Sequence, residues 1–341
     1  MRGQQSKLIF IDSSVATDSQ DHTRVLVPPT PFGAGQHERM SLTLVSFSCR
    51  RNWYNIHRNN SIFYLYVDGA SYHQVAIAPG VYPTFALLAA AIHAAILVTI
   101  TPEGLYPGVP EIAAVAVTYN AVSRFFSIAL TMAAGSELTP VEIRCFAVKS
   151  GALPAGVSLV GGFNDSFEIL GATPIRDSAS ADASLDGVLA AGVHTLTSRY
   201  PASLNTLDAI YLHLNTVQTG NFMSTGHDSH TRESPRLIES DIFARIPFDD
   251  STFTESHEVV QFEDSGGDMY QSMLNRKNLE TLSLRVTDAR GRSLATMNPN
   301  QARDGLLAYK VCLRWDLFSM PPPKPPPRPP LDTTHHHPPH K

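Results

Sequence analysis

The densest run of chemically capable side chains is Gly226-His227-Asp228-Ser229-His230, with two histidines, an aspartate and a serine in five residues. A nucleophilic triad needs its members delivered by separate elements at fixed geometry, so neighbours in sequence do not make one. His227 and His230 share a metal only if a third ligand arrives from elsewhere. An exposed polar loop explains the run more simply. Gly33-Ala34-Gly35-Gln36-His37 lacks the Lys-Ser/Thr pair of a phosphate loop and opens no helix, so it too reads as loop.

Carboxylates gather at Asp249-Asp250, Glu255, Glu258, Glu263-Asp264 and Asp268. Such oxygens can hold calcium, but no EF-hand spacing is present and a solvated acidic face is expected. Asp182 and Asp186 form a weaker pair and read as turn residues. The thiols, Cys49, Cys145 and Cys312, are odd in number and widely spaced. That excludes a disulfide framework and a Cys-based zinc site, and predicts buried small hydrophobes in a reducing compartment. No catalytic residue, cofactor-binding residue or metal ligand is nominated, and no cofactor is expected.

The bulk of the chain points away from solution chemistry. It has 341 residues, enough for one large all-β domain or two ordinary domains. Hydrophobic residues make up 43% and charged residues 17%, a low charge content that suits a surface partly hidden against neighbours. The net charge of -5 lacks the basic excess of general nucleic-acid binding, and no sequence-specific nucleic-acid partner is expected. No secretory leader pattern is visible, and no run approaches the ~20 apolar residues of a membrane span.

Strand signals dominate the elements that would position any site. Leu8 to Ile11 is a short apolar run, an added edge strand or arm, and Pro28-Pro29, Pro31 and Gly33 to Gly35 punctuate the approach to the body. Met40 to Cys49 opens that body. Ile62 to Val67 and Tyr72 to Ile77 flank the turn pair Asp68-Gly69. Thr84 caps one convincing helix, with Phe85, Leu88, Ile92 and Ile96 at helical spacing. Period-two runs come next at 115–119, 126–130, 141–145, 210–214, 282–286 and 309–315, each with one apolar face.

This pattern predicts an all-β chain: a single jelly-roll β-sandwich of two antiparallel sheets with one short helix and long loops. The expected organisation is an N-terminal arm at 1–39 and a jelly-roll body at 40–320. A long loop insertion near 172–206 and a Pro/His-rich flexible tail at 321–341 complete it. Pro321 to Pro330 favours polyproline II geometry and cannot build a core. His335-His336-His337 and His340 read as part of a flexible interaction segment.

One ordered set of motifs is more specific. Ser41-Leu42-Thr43-Leu44 leads to Asn52-Trp53-Tyr54-Asn55-Ile56 and Asn59-Asn60-Ser61-Ile62-Phe63, then to Ile77-Ala78-Pro79-Gly80-Val81-Tyr82 and the helix. Arg124-Phe125-Phe126, Phe167-Glu168-Ile169-Leu170-Gly171, Ile242 to Pro247 and Leu282 to Gly291 continue the series in order. Over residues 8–295 the chain resembles the penton-like, single jelly-roll minor capsid proteins of the adenovirus-like lineage, including virophages, polinton-like viruses and large DNA viruses.

That resemblance implies a structural virion protein and not an enzyme: a penton subunit forming homopentamers at icosahedral capsid vertices. The implied partners are neighbouring hexon-like major capsid proteins, and other minor capsid proteins through the Pro-rich tail. The implied location is the virion, assembled in host cytoplasm or nucleus. A minor capsid, cement or attachment protein between capsomers is the alternative. A cupin-like or lectin-like jelly roll is a third reading, short of ligands because His213 is the only histidine in a convincing late strand.

Overall fold

The computed structural model describes residues 5–14, 17–19, 22–27, 33–35, 38–50, 53–101, 108–147, 153–158, 166–175, 183–204, 207–214, 223–226, 236–239, 241–247, 259–266, 269–274, 279–289, 291–294 and 308–319. In chain order the first strands are β1 (Gln5–Asp12), β2 (Thr17–Ser19), β3 (His22–Leu26) and β4 (Glu38–Arg50). Then come β5 (Ile62–Val67), β6 (Ser71–Ala76), helix α1 (Phe85–Ile100), β7 (Ile112–Asn120), β8 (Phe125–Met132) and β9 (Val141–Arg144). Helix α2 (Ser166–Leu170), β10 (Asp186–Ala190) and β11 (Val193–Thr197) are next. The chain continues through β12 (Ala209–Leu214), β13 (Met223–Gly226), β14 (Arg236–Glu239) and β15 (Ile242–Pro247). It closes with β16 (Val259–Glu263), β17 (Gln271–Leu274), β18 (Thr281–Thr287) and β19 (Tyr309–Ser319).

Two sheets build the body. One runs β1-β19-β4-β16, with β17 also on β4; the other runs β15-β12-β18-β3-β2. In chain order the body strands are β1, β3, β4, β12, β15, β16, β18 and β19. The first sheet holds the first, eighth, third and sixth of these, and the second sheet the second, seventh, fourth and fifth. That antiparallel interleaving is the double Greek key of a jelly roll. Period two puts Leu42, Leu44, Leu212, Leu214, Leu282, Leu284, Leu313 and Trp315 into the space between the sheets, where they form one core.

The expected arm at 1–39 is a correction. β1 pairs with β19 along its whole length, from Gln5 opposite Leu317 to Asp12 opposite Lys310. β3 pairs with β18. These segments are the first two body strands, and Ile11 and Val27 lie in the core. The apolar run from Leu8 to Ile11 is short because its strand is an edge with one face outside.

A second correction concerns the middle of the chain. The segment between β4 and β12 makes its own unit from the sheets β10-β11-β8-β7 and β6-β5-β9. With α1 and α2 they enclose a separate core around Leu65, Leu88, Ile92, Phe126, Ile128, Leu130 and Ile143. The expected single body from 40 to 320 is therefore a jelly roll carrying an inserted β unit between its third and fourth strands. The stretch 172–206, expected as loop, holds the hairpin β10–β11. Ala191 and Gly192 turn it, both with positive φ, as a two-residue hairpin requires. The tail at 321–341 lies outside the described residues.

Thr84 caps α1 through its side chain, which accepts from Leu87 N. No helix among the described residues is long and apolar enough to cross a membrane.

Candidate functional site

The crossings between the two units use the motif residues. Trp53 is buried in the jelly-roll core and Ile56, three residues on, in the inserted core. Between them Asn55 clamps Tyr82: its Oδ1 accepts from Tyr82 N at 2.9 Å, and its Nδ2 donates to Tyr82 O at 2.8 Å. Asn60 Nδ2 donates to Asn55 O at 2.8 Å, and Asn60 Oδ1 accepts from His57 N at 2.6 Å. Burial, with Arg292 and Arg58 nearby, pushes His57 down to about 3, so its ring is neutral. On the return, Ala202 belongs to the inserted core and Leu207 to the jelly roll. Asn55, Asn60 and Tyr82 thus fix the crossing between the two units.

Polar groups line this junction. Asp288 and Arg292 form a buried ion pair at 2.6 Å. Glu168, half-buried on α2, has its carboxyl raised by desolvation, opposed by the Arg292 guanidinium. Beside it an open groove of about 500 Å³ is walled by Phe167, Tyr200, Pro174 and Pro201. Gly171 lets the groove exist: its φ is +62°, and a Cβ there would meet Tyr200 O at 2.0 Å.

The remaining expected residues do not converge. Gly35 takes part in a turn, donating to Glu38 Oε2 at 2.8 Å. His227, Asp228, Ser229, His230, Asp249, Asp250, Glu255, Glu258, Asp268 and Asp182 lie outside the described residues. Glu263 ends β16, opposite Ser46. Asp264 accepts from Gly266 N and Met269 N, fixing a loop. Asp186 is a strand residue on β10, not a turn residue, and pairs with Arg199 at 2.8 Å. All three cysteines are free and buried, and burial raises Cys49 and Cys145 to about 12. No group of three metal-ligating side chains occurs among the described residues. Sequence reasoning missed the cluster at His213, where Asp241, Thr287 and Arg285 meet the ring. Asp241 immediately precedes β15, and nothing local marks it.

What the inserted unit offers instead is surface. Register places Asp186, Thr197, Ser127 and Thr118 in one row across the outer face of its four-stranded sheet. Val188, Thr195, Ala129 and Ala116 make the next row, and Ala190, Val193, Thr131 and Ala114 the third. Only Asp186 carries a charge. Helix α1 has no Asp, Glu, Lys or Arg, and exposes Ala86, Leu87, Ala90, Ala94, Leu97 and Val98. On the jelly roll, Leu8 and Phe10 of the edge strand β1 are 54% and 77% exposed.

No family model and no curated protein matches the chain. Solved structures similar to it include two from virophages. The mavirus penton protein aligns at 9% identity over 93% of this chain and 100% of its own, with a TM-score of 0.43. A chain of the Sputnik virophage aligns at 14% identity over 92% and 98%, with a TM-score of 0.30.

Proposed function

We propose that the chain is a structural subunit of a virus shell, a penton-type capsid protein that closes into rings of five at icosahedral vertices. The observation that carries this reading is the pair of charge-poor faces on the inserted unit. At strand and row spacings the sheet face measures on the order of 400 Å². The exposed flank of α1 adds roughly 240 Å². Surface this poor in charge suits a protein contact, whose core is depleted of charged residues. A ring about a fivefold axis is heterologous, so each subunit must offer two different patches, one to each neighbour. Two separate charge-poor faces suit that demand, and a jelly roll supplies a stiff body behind them.

The ordered motifs from Ser41 to Gly291 support the same reading, since they include the junction residues Trp53, Asn55, Ile56, Asn60 and Tyr82. In this role the chain performs no reaction, sits in the virion, and meets hexon-like major capsid proteins around each vertex. Native mass spectrometry of the purified chain tests the proposal. The expected result is a five-subunit species. A chain that stays monomeric at tens of micromolar, or closes with a different number, overturns it.

A further inference from the structure

We infer that the groove beside Glu168 receives the proline-rich tail of a neighbouring copy of this chain. The inference rests on the assembly reading above, because it needs copies side by side.

The groove has the chemistry that reads polyproline. Phe167 and Tyr200 present aromatic rings, and Pro174 and Pro201 continue the apolar wall. Proline-rich segments dock against aromatic-lined grooves because their helix is already formed and little entropy is lost. Such grooves take a register from a charged flank. Here Glu168 stands on the wall, and the run from Pro321 to Pro330 carries Lys324 and Arg328, its only charges. They lie four residues apart, one and a third turns of that helix, so one at a time can face the Glu168 wall while the other points about 120° away. One basic residue of the run can meet Glu168 while neighbouring prolines lie on the apolar wall.

Reach decides which copy supplies the tail. Glu168 lies at the junction end of the jelly roll, within electrostatic range of Asp208, Asp288 and Arg292. β19 starts at that same end, where Arg50 N donates to Ala308 O, and runs away from it to Ser319, opposite Glu38. Ten residues of strand carry Ser319 about 33 Å from the junction. A fully extended chain advances at most about 3.6 Å per residue, so five residues beyond Ser319 span at most about 18 Å and nine at most about 32 Å. A chain's own Lys324 and Arg328 therefore fall short of its own Glu168. A neighbour's tail has the same reach, but it starts from wherever that copy's Ser319 is placed in the assembly.

The test uses the full chain with Tyr200→p-benzoyl-phenylalanine, mixed from isotopically light and heavy batches, irradiated and digested. The expected result is crosslinks between residue 200 of one isotope and residues 321–330 of the other. Glu168→Gln should reduce their yield about 3-fold, the scale of a part-exposed ion pair. Crosslinks confined to single copies overturn the inference. Native mass spectrometry on the same sample separates the two readings. Rings without tail crosslinks overturn tail docking and leave the shell reading standing. Monomers overturn the shell reading, and a fluorescent peptide of residues 319–331 then tests the groove. Failure of that peptide to saturate the full chain below about 1 mM, a free energy of about 4 kcal/mol, overturns the groove as well.

Discussion

His213 Nδ1 lies 2.5 Å from Asp241 Oδ1, while the other nitrogen of the same ring lies 2.8 Å from Thr287 Oγ1. Thr287 gives its proton to Asp288 O at 3.0 Å, which leaves its oxygen to accept from the ring. Arg285 approaches Asp241 at 3.6 Å. The cluster ties β12, β18 and the approach to β15 together on the outer face of the second jelly-roll sheet, and gives that sheet a dependence on acid.

The hydrogen bond from His213, helped by the charges of His213 and Arg285, holds the Asp241 carboxyl below the usual carboxylate range, against some desolvation. A carboxyl lowered on folding contributes stability above its unfolded value that is lost as pH falls through the folded one. Asp241 is about half exposed, so solvent screening limits the contribution to about 1 kcal/mol. Asp241→Asn should cost that much at pH 7 and progressively less as the pH falls below the usual carboxylate range. Urea unfolding at pH 7 and at a pH below that range checks it, and an equal cost at both would refute the link.

The two cores predict two protection classes. Ile128→Ala leaves a cavity in the inserted core and Leu212→Ala one in the jelly roll, each at about 2–5 kcal/mol. Hydrogen exchange should speed in residues 53–204 for the first variant and in the paired strands β12, β15 and β18 for the second. Uniform loss of protection in both variants would mean that the units fold only as one.

Gly171→Ala forces a left-handed backbone on a residue that resists it and drives a methyl into Tyr200 O. A loss of about 3 kcal/mol or more is expected in thermal or urea unfolding. A loss under about 1 kcal/mol would show that the Tyr200 segment moves aside freely.

Cys49 and Cys145, buried and pushed up to about 12, should not react with a thiol-specific disulfide reagent at pH 8. Both should appear once the chain is unfolded. Rapid labelling of either in the folded chain would contradict their burial.

Much of the local structure is legible in the sequence because it is written in neighbouring residues. Thr84 and the spacing of Phe85, Leu88, Ile92 and Ile96 announce α1, and the alternation from Leu282 to Val286 announces β18. Partnership is not written locally. The period of Val115, Val117 and Tyr119 is that of any half-buried strand, and nothing in it says that β7 belongs to the inserted core and not to the jelly roll. The hairpin at Asp186 to Thr197 is hidden for a different reason. Its first strand is exposed at every position, so it shows no apolar face to read. The groove is equally invisible, since Phe167 and Tyr200 are brought together only when Arg199 N and Tyr200 N donate to Gly171 O.

The placement of β19 sets an order of events in synthesis. It is an internal strand of its sheet, between β1 and β4, and Gln5 finds its partner only in Leu317. While the ribosome is still making β19, the inserted unit already has every element of its core, whereas β1 has nothing to pair with. The chain therefore has a built-in delay: the faces of the inserted unit can mature early, but the first jelly-roll sheet stays open until the last described strand has emerged.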